Sequence, residues 1–369
     1  MYIYEHVSWP HFTWRKDVLL TPLAAVTFQQ GHVLGRMKEL GFDLQQESTW
    51  HVVTQNIITS SEIEGEYLDF GQVRSSVARR LNISITSSEP IDHHVEGIVD
   101  MMFDALQNNQ EPLSVERLCQ WHGALFPTGF SGMRRIAVGT LRTDAEGPIQ
   151  VVSQSSNPMT VVHFQAPSAA TLPSALADFL TWFNGIDNEI PLIKAAIAHL
   201  WFVTLHPFED GNGRLTRALT DMLLCRADRS PYRFYSMSAQ IQKQKKDYYC
   251  ILEKSQKGSL DITEWLIWFL NCLEKAIKDS ESVGDSVLRK ARFWRIASHY
   301  SLSQDQRKML LLFLEDFKGN LTSSKWAKAC KVSQDTAGRE LKDLVEKGLL
   351  LQEGQGRSTH YVLVNSPDY

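Results

Sequence analysis

Apolar residues recur at three- and four-residue spacing along most of the chain, the period of a helix with one buried face. That spacing predicts helices over Asp17 to Leu40 and Gln46 to Ile58, then over Asp92 to Leu106, Ser114 to Leu125 and Pro173 to Phe183. Ile190 to Leu205 and Arg214 to Cys225 follow, with two more at about Gln240 to Glu253 and Ile262 to Ile277. One stretch breaks the habit. Residues 132–165 are rich in Gly, Thr, Ser and Val, with β-branched runs at 149–152 and 160–164 around a turn-like Ser153 to Pro158. A β-hairpin inside a helical protein is the reading. A polar segment, Lys278 to Asp285, then interrupts the apolar pattern and marks a boundary.

Composition narrows the class. A chain of 369 residues is long enough for two or three domains with their own cores, and 43% hydrophobic with 22% charged residues excludes wholesale disorder. Net charge of −4 argues against electrostatic binding of nucleic acid by the whole protein. From Arg289 onward, however, fourteen Lys and Arg stand against nine Asp and Glu, a balance of +5. The five cysteines (Cys119, Cys225, Cys250, Cys272, Cys330) are far apart with no CxxC pair, as expected of free thiols in a reducing compartment. The N-terminus has no basic-then-apolar leader, and apolar runs such as Met309 to Leu314 are too short to span a bilayer. A cytoplasmic protein without membrane contact is expected.

Candidate chemistry concentrates in His206-Pro207-Phe208-Glu209-Asp210-Gly211-Asn212-Gly213-Arg214-Leu215-Thr216-Arg217, which follows one apolar helix and opens another. A helix start behind Gly-Asn-Gly offers backbone N–H groups and a positive dipole end to an anion such as phosphate. Glycine lets the backbone approach that anion closely. Arg214 and Arg217, three residues apart, share a helix face and suit further phosphate oxygens. Asp210 is an oxygen ligand suited to Mg²⁺, and His206 is a general base whose ordinary pKa lies near working pH. Each piece alone has an ordinary structural explanation; a base, a metal ligand, an anion nest and two arginines in twelve residues do not. No GxxxxGK[ST] loop occurs, which excludes a Walker-type ATPase.

This segment resembles the Fic signature HxFx[D/E]GNGRxxR at every specified position. Gly132-Met133-Arg134-Arg135 with the hairpin resembles the Fic flap, Tyr248-Tyr249 followed by Trp265 its adenine-side helix, and the opening through Trp9-Pro10 and Trp14 the N-terminal domain of bacterial Fic proteins. The resemblance implies a mainly α fold: a helical domain over 1–90, a helical Fic core with one flap hairpin over 91–280, and a further module over 289–369. It implies transfer of AMP from ATP to Ser, Thr or Tyr hydroxyls of target proteins and of the chain itself. His206 would be the base and Asp210 would hold Mg²⁺. The backbone of Gly211 to Arg214 with the Asn212 side chain would form the anion hole, and Arg217 would hold the γ-phosphate. Leu215, Thr216, Val161, Val162, His163, Phe164, Tyr248, Tyr249 and Gln256 would complete the ATP site. Gly213, where phosphorylating relatives carry Lys, favours AMP transfer.

Upstream, Thr59-Ser60-Ser61-Glu62-Ile63-Glu64-Gly65 resembles the family's inhibitory motif [S/T]xxxE[G/N], on a helix of about 48–65. Ser60 and Glu64 stand one turn apart and Gly65 suits a helix end. Glu64 placed on Arg217 would compete with the γ-phosphate. The plain alternative is that Glu62, Glu64 and Glu66 form a solvated acidic face. Two rival functions remain open: AMP removal, with Glu64 orienting a water, and a transcription regulator that only senses nucleotide.

The hairpin 149–164 offers an edge on which a target segment can add as a strand. The last module reads as a helix (Gln304 to Phe317), a short helix (Ser323 to Cys330), a helix (Gln334 to Lys347), then strands at Leu349 to Leu351 and Thr359 to Val364. That order resembles a winged helix. Gln334, Thr336, Arg339 and Lys342 would face DNA with Arg357 at the wing tip, diluted by Asp335, Glu340 and Asp343. Such modules also dock proteins or form dimers, and the sequence leaves nucleic acid, a protein partner and a homodimer open. Asp92-His93-His94-Glu96 is no chelate, since adjacent helical residues diverge by ~100°; His199 is expected to be a satisfied core histidine, and Trp265 and Trp268 core residues.

Overall fold

A computed structural model describes residues 1–38, 42–83, 90–145, 147–154, 160–185, 189–315 and 319–364. The chain forms two compact units, Met1–Gly284 and Asp285–Tyr369.

In the first unit a 3₁₀ turn, Ile3–Glu5, precedes α1 (Lys16–Lys38), α2 (Phe42–Ile63), α3 (Phe70–Arg80), α4 (His93–Gln107) and α5 (Val115–Leu125). Two antiparallel hairpins follow: β1 (Phe130–Ser131) with β2 (Arg134–Arg135), and β3 (Gln150–Gln154) with β4 (Thr160–Gln165). Then come α6 (Leu172–Asn184), α7 (Pro191–Leu205), α8 (Asn212–Asp228), α9 (Met237–Lys243), α10 (Lys245–Gln256) and α11 (Thr263–Ala297). The expected mainly helical architecture with small hairpins is what the chain adopts.

The central helix is α7. Proline at its first position fits the helix start. From Leu192 to Leu205 all its residues but Lys194 are buried, so it has no solvent face. Leu200, Phe202 and Leu205 are fully enclosed, each burial favouring the fold by about 1.5–3 kcal/mol. Against it lies α8, also buried along most of its length. The outer helices α4 and α5 bury one face each and start at side-chain caps: Asp92 accepts from His94 N–H and Ser114 from Arg117 N–H. The N-terminal segment belongs to the same core, with Tyr2 and Tyr4 on Phe164, and Trp9 and Phe12 on Trp201.

A buried ion network closes the far end of α8. Arg233 reaches Asp221 at 3.0 Å and Asp228 at 2.9 Å, all three side chains at most 2% exposed. Asn56 of α2 donates to Asp221 at 2.7 Å, and Gln30 of α1 donates to Asp228 at 2.5 Å. Both early helices are thereby tied to the helix that carries the signature.

Some expectations need correction. α3 is not apparent from the periodicity, because after Phe70 at its start Val73 and Val77 are its only large apolar residues; Asp69, which caps it through Gln72 N–H, was the available signal. The single helix expected over 240–253 is two, α9 and α10, broken at Gln244 (φ −117°, ψ 30°). The two units divide inside the polar segment 278–285, while the backbone stays helical through it to Ala297. Lys, Glu, Asp and Ser lie between the apolar positions there without a proline, and such residues leave a helix intact. Residues 155–159 of the expected hairpin turn lie outside the described residues.

The second unit contains α12 (Gln304–Glu315), α13 (Ser323–Cys330), α14 (Gln334–Glu346) and the hairpin β5 (Leu350–Glu353) with β6 (His360–Leu363). Met309, Leu310, Trp326, Leu341 and Leu344 are wholly buried in its core. Two acids expected to dilute α14 are engaged within the unit, although the Asp343 side chain stays 44% exposed. Glu340 accepts from Trp326 Nε1 at 2.7 Å and Ser303 Oγ at 3.0 Å, while Asp343 accepts from Gln306 Nε2 at 2.7 Å. Gln334, Asp335, Arg339 and Lys342 are exposed; the Arg357 side chain lies outside the described ones. Among the described residues no helix is long and apolar enough to cross a membrane.

Candidate active site

The turn between α7 and α8 presents His206. It caps α7 in the left-handed region (φ 50°, ψ 58°), with its N–H bonded to Phe202 O at 3.1 Å. Its Nδ1 lies 3.2 Å from Val203 O; a carbonyl only accepts, so Nδ1 carries the proton and Nε2 keeps its lone pair. Burial pushes the ring below the ordinary imidazole value. The Val203 bond, Glu64 and Asp210 pull it up, and nearby Arg142 pushes it further down. The neutral form, the one a base requires, is favoured.

Phe208 is fully buried and stacks on His122, ring centroids 4.3 Å apart. His122 is enclosed as well, its Nδ1 accepting from Gly139 N–H at 3.0 Å, and burial lowers it to about 4. The Asn212 side chain does not form an anion hole. Its Oδ1 accepts from Phe208 N–H at 3.0 Å and its Nδ2 donates to Phe208 O at 2.7 Å, so both ends hold the turn closed. The nest is left to the backbone. Gly211 (φ 75°) starts α8, and a Cβ there would stand 2.9 Å from Phe126 Cε2. Its N–H donates to Asp210 Oδ1 at 2.5 Å, while Ser131 Oγ bonds the other carboxylate oxygen. Leu215 and Thr216 are buried, the Thr216 hydroxyl bonding Asn212 O. Their side chains serve the helix, not an open site.

Arg214 and Arg217 are 5% and 2% exposed and both are already engaged by acids of the preceding turn. After α2 ends, Glu66 N–H bonds Ser61 O and Gly65 N–H bonds Glu62 O, each at 3.0 Å, with Gly65 left-handed at φ 82°. This is the Schellman ending that glycine favours. It turns two carboxylates onto α8. Glu64 Oε1 lies 2.8 Å from Arg217 Nη2, and Ser60 Oγ accepts from Arg217 Nε at 2.8 Å. Glu66 Oε2 lies 2.5 Å from Arg214 Nη1, and its other oxygen meets His94 Nε2. Burial opposes ionisation of Glu66, but the His94 bond and Arg214 outweigh it and hold the carboxyl below its ordinary range. The acids are thus not a solvated face. Glu66 and His94 were visible in the sequence but not as partners of Arg214; the signal was an acid two residues beyond the expected one. The fit is close: a Cβ at Gly213 would stand 2.0 Å from Glu64 Oε1.

Other expected site residues divide. Val161 and Val162 are 45% and 36% exposed on the hairpin, and His163 Nδ1 meets Glu253 at 2.8 Å. Phe164 is a core residue against Tyr2 and Tyr4. Tyr248 is enclosed, with its hydroxyl 2.9 Å from His199 Nε2, and so does not present itself to a base. His199 is the satisfied core histidine expected, its Nδ1 2.9 Å from Thr220 Oγ1, and burial lowers it to about 3. Tyr249 is 41% exposed and donates to Ile63 O, so it contacts the end of α2. Gln256 is buried on Thr204, and Trp265 and Trp268 stack on each other.

Among the described residues no group of three or more His, Cys, Asp or Glu is arranged to hold a metal. Asp210, one carboxylate at the start of α8, fits Mg²⁺ that arrives on a polyphosphate, since that ion commonly takes one or two carboxylates plus phosphate oxygens.

Residues 2–83 match a domain of unknown function (DUF4172), and residues 112–224 match the Fic/DOC family. The chain is 26% identical over 231 residues to a protein adenylyltransferase Fic of Aedes aegypti, covering 60% of this chain and 40% of that protein. The corresponding protein of Nematostella vectensis is 24% identical over 231 residues, with 60% and 47% covered. The chain therefore spans less than half the length of these relatives. A solved Fic family protein from Desulfovibrio desulfuricans shares the fold over 97% of this chain and 99% of its own, with a TM-score of 0.53 at 20% identity. Residues 112–224, the stretch that matches the Fic/DOC family, carry the turn and helix described above.

Proposed function

We propose that this chain transfers AMP from ATP to Ser, Thr or Tyr hydroxyls of proteins, itself included, and that Glu64 holds the reaction in check. The observation that carries this reading is the counter-ion exchange built into α8: two buried arginines beside a glycine nest and a neutral histidine, both neutralised by the chain's own carboxylates. A polyphosphate is the ligand whose charge replaces those acids.

In this reading the hydroxyl oxygen attacks the α-phosphorus, an O–P bond forms, the bond to the β-phosphate bridge breaks, and pyrophosphate leaves. The hydroxyl proton goes to His206 Nε2, which the Nδ1 contact with Val203 leaves available. First-turn N–H groups of α8, including those of Gly213 and Arg214, stabilise the developing charge. Asp210 would hold Mg²⁺ arriving with the nucleotide, and that ion would supply charge neutralisation at the phosphates. Arg217 takes the γ-phosphate once Glu64 leaves. The hairpin β3–β4, with Val151, Val152, Val161 and Val162 exposed, receives the target as an added strand. The second unit supplies a docking face on α14 for nucleic acid, another protein or a second copy.

The test is label transfer from α-³²P-ATP and γ-³²P-ATP by wild type, Glu64→Gly and His206→Ala. AMP transfer requires α-label alone, raised by Glu64→Gly and abolished by His206→Ala. Absence of α-label in all of them would point to AMP removal or nucleotide sensing, and γ-label to phosphorylation.

A further inference from the structure

An α-helix leaves its last carbonyls without partners inside the helix. At the end of α7 the difficulty is doubled, because the chain turns there through a left-handed non-glycine residue. Such a conformation costs on the order of 1–3 kcal/mol unless its surroundings hold it.

One residue meets both needs. Arg142 Nε donates to His206 O at 2.7 Å, its Nη2 to Leu205 O at 3.5 Å, and its backbone N–H to Pro207 O at 3.0 Å. Three successive carbonyls around the base thus rest on a single side chain and its own amide. The same guanidinium reaches outward. Nη2 also donates to Pro167 O at 2.5 Å, just past β4, and Nη1 pairs with Asp144 at 3.1 Å. Asp144 in turn accepts from Ser168 Oγ at 3.0 Å and Ala169 N–H at 2.7 Å. The Arg142 side chain is 0% exposed, so these bonds are shielded from competing water. Lysine, a point donor, cannot reproduce this fork.

We propose that Arg142 is a positioning residue for the transfer reaction: it fixes the left-handed turn that aims His206 and ties that turn to the root of the hairpin where the target docks. Base and acceptor hydroxyl are then registered against each other by one buried cation. The inference rests on the proposed AMP transfer for its chemistry, and on the bonds above for its geometry. The charged groups facing His206 are Arg142, Glu64 and Asp210, so the guanidinium also disfavours a second proton on the ring.

The experiment uses the full chain carrying Glu64→Gly, alone and with Arg142→Lys or Arg142→Met. It measures kcat and KM for ATP, ATP binding, the His206 ring titration by NMR (assigned with His206→Ala), and exchange of the His206 amide hydrogen. Both variants are expected to lose about 100-fold in kcat, the scale of a misplaced reacting group, with ATP binding nearly unchanged. Both should speed exchange of the His206 amide. Only Arg142→Met should raise the ring pKa and move the acid limb of kcat upward, because lysine keeps the charge. Should both variants fail to fold, Asp144→Asn weakens the same fork from outside and should lower kcat by about tenfold. Unchanged kcat in a folded variant, or a loss confined to KM, would overturn the proposal. If the Glu64→Gly parent itself transfers no AMP, the reaction reading fails. Amide exchange and ring titration then still decide the geometry, and their insensitivity to Arg142→Met would sink it.

Discussion

Helix α8 carries buried arginine–carboxylate chemistry at one end and receives it at the other, and the two sites are built differently. Near its C-terminal end Arg233 is held by Asp221 and Asp228, with all three side chains at most 2% exposed. At its N-terminal end Arg214 and Arg217 are equally buried, but their partners Glu66 and Glu64 are each 32% exposed and sit in a turn. Among the described residues Arg217 Nη1 has no hydrogen-bond partner. An ion pair sealed on both sides fastens helices; one sealed only on the cation's side can exchange its anion. In the proposed reading the same interaction serves as a fixture at one end and as an exchangeable plug at the other.

The comparison breaks first at the sealed end. Arg233→Met should destabilise the first unit by about 3–5 kcal/mol, since two aspartates would be left buried without their cation; urea unfolding reads this directly. Glu64→Gly should scarcely move the unfolding midpoint, yet raise AMP incorporation by about 10- to 100-fold. That range corresponds to freeing a charge-assisted contact of about 1.5–3 kcal/mol. A parallel loss of stability would place Glu64 with the fixtures. Glu66→Gln keeps an acceptor for Arg214 while removing the charge, so ATP affinity should rise only several-fold, about 1 kcal/mol by titration calorimetry. The smallest effect is in pH. The neutral His206 ring is the working form, so activity is present above its depressed pKa and lost as pH falls through it. The acid limb of kcat/KM should lie below about 6.5, and lower in Glu64→Gly, where one carboxylate that raises the ring is gone.

Legibility in the sequence followed chain distance. The signature 206–217 could be read because base, acid, glycines and arginines are contiguous, and Glu64 because its helix turn and Gly65 impose a spacing. Glu66 was in view but had no visible partner, since Arg214 lies 148 positions away. Arg142 and His122 act on backbone atoms, and no residue pattern encodes which carbonyl a guanidinium will find. Asn212 shows the converse. Its presence was legible, but the direction of its amide was not, and the turn uses it for closure. Phe164 and Tyr248 were placed in the right elements, but their packing against Tyr2, Tyr4 and His199 was not visible. On a short strand or helix, side-chain direction depends on packing that only the whole fold supplies.

The Schellman turn has a consequence in charge stoichiometry. Glu64 and Glu66 flank Gly65 and share its backbone bonds, so a motion that opens the turn withdraws two negative charges together. An incoming polyphosphate would then find both arginines without their carboxylates.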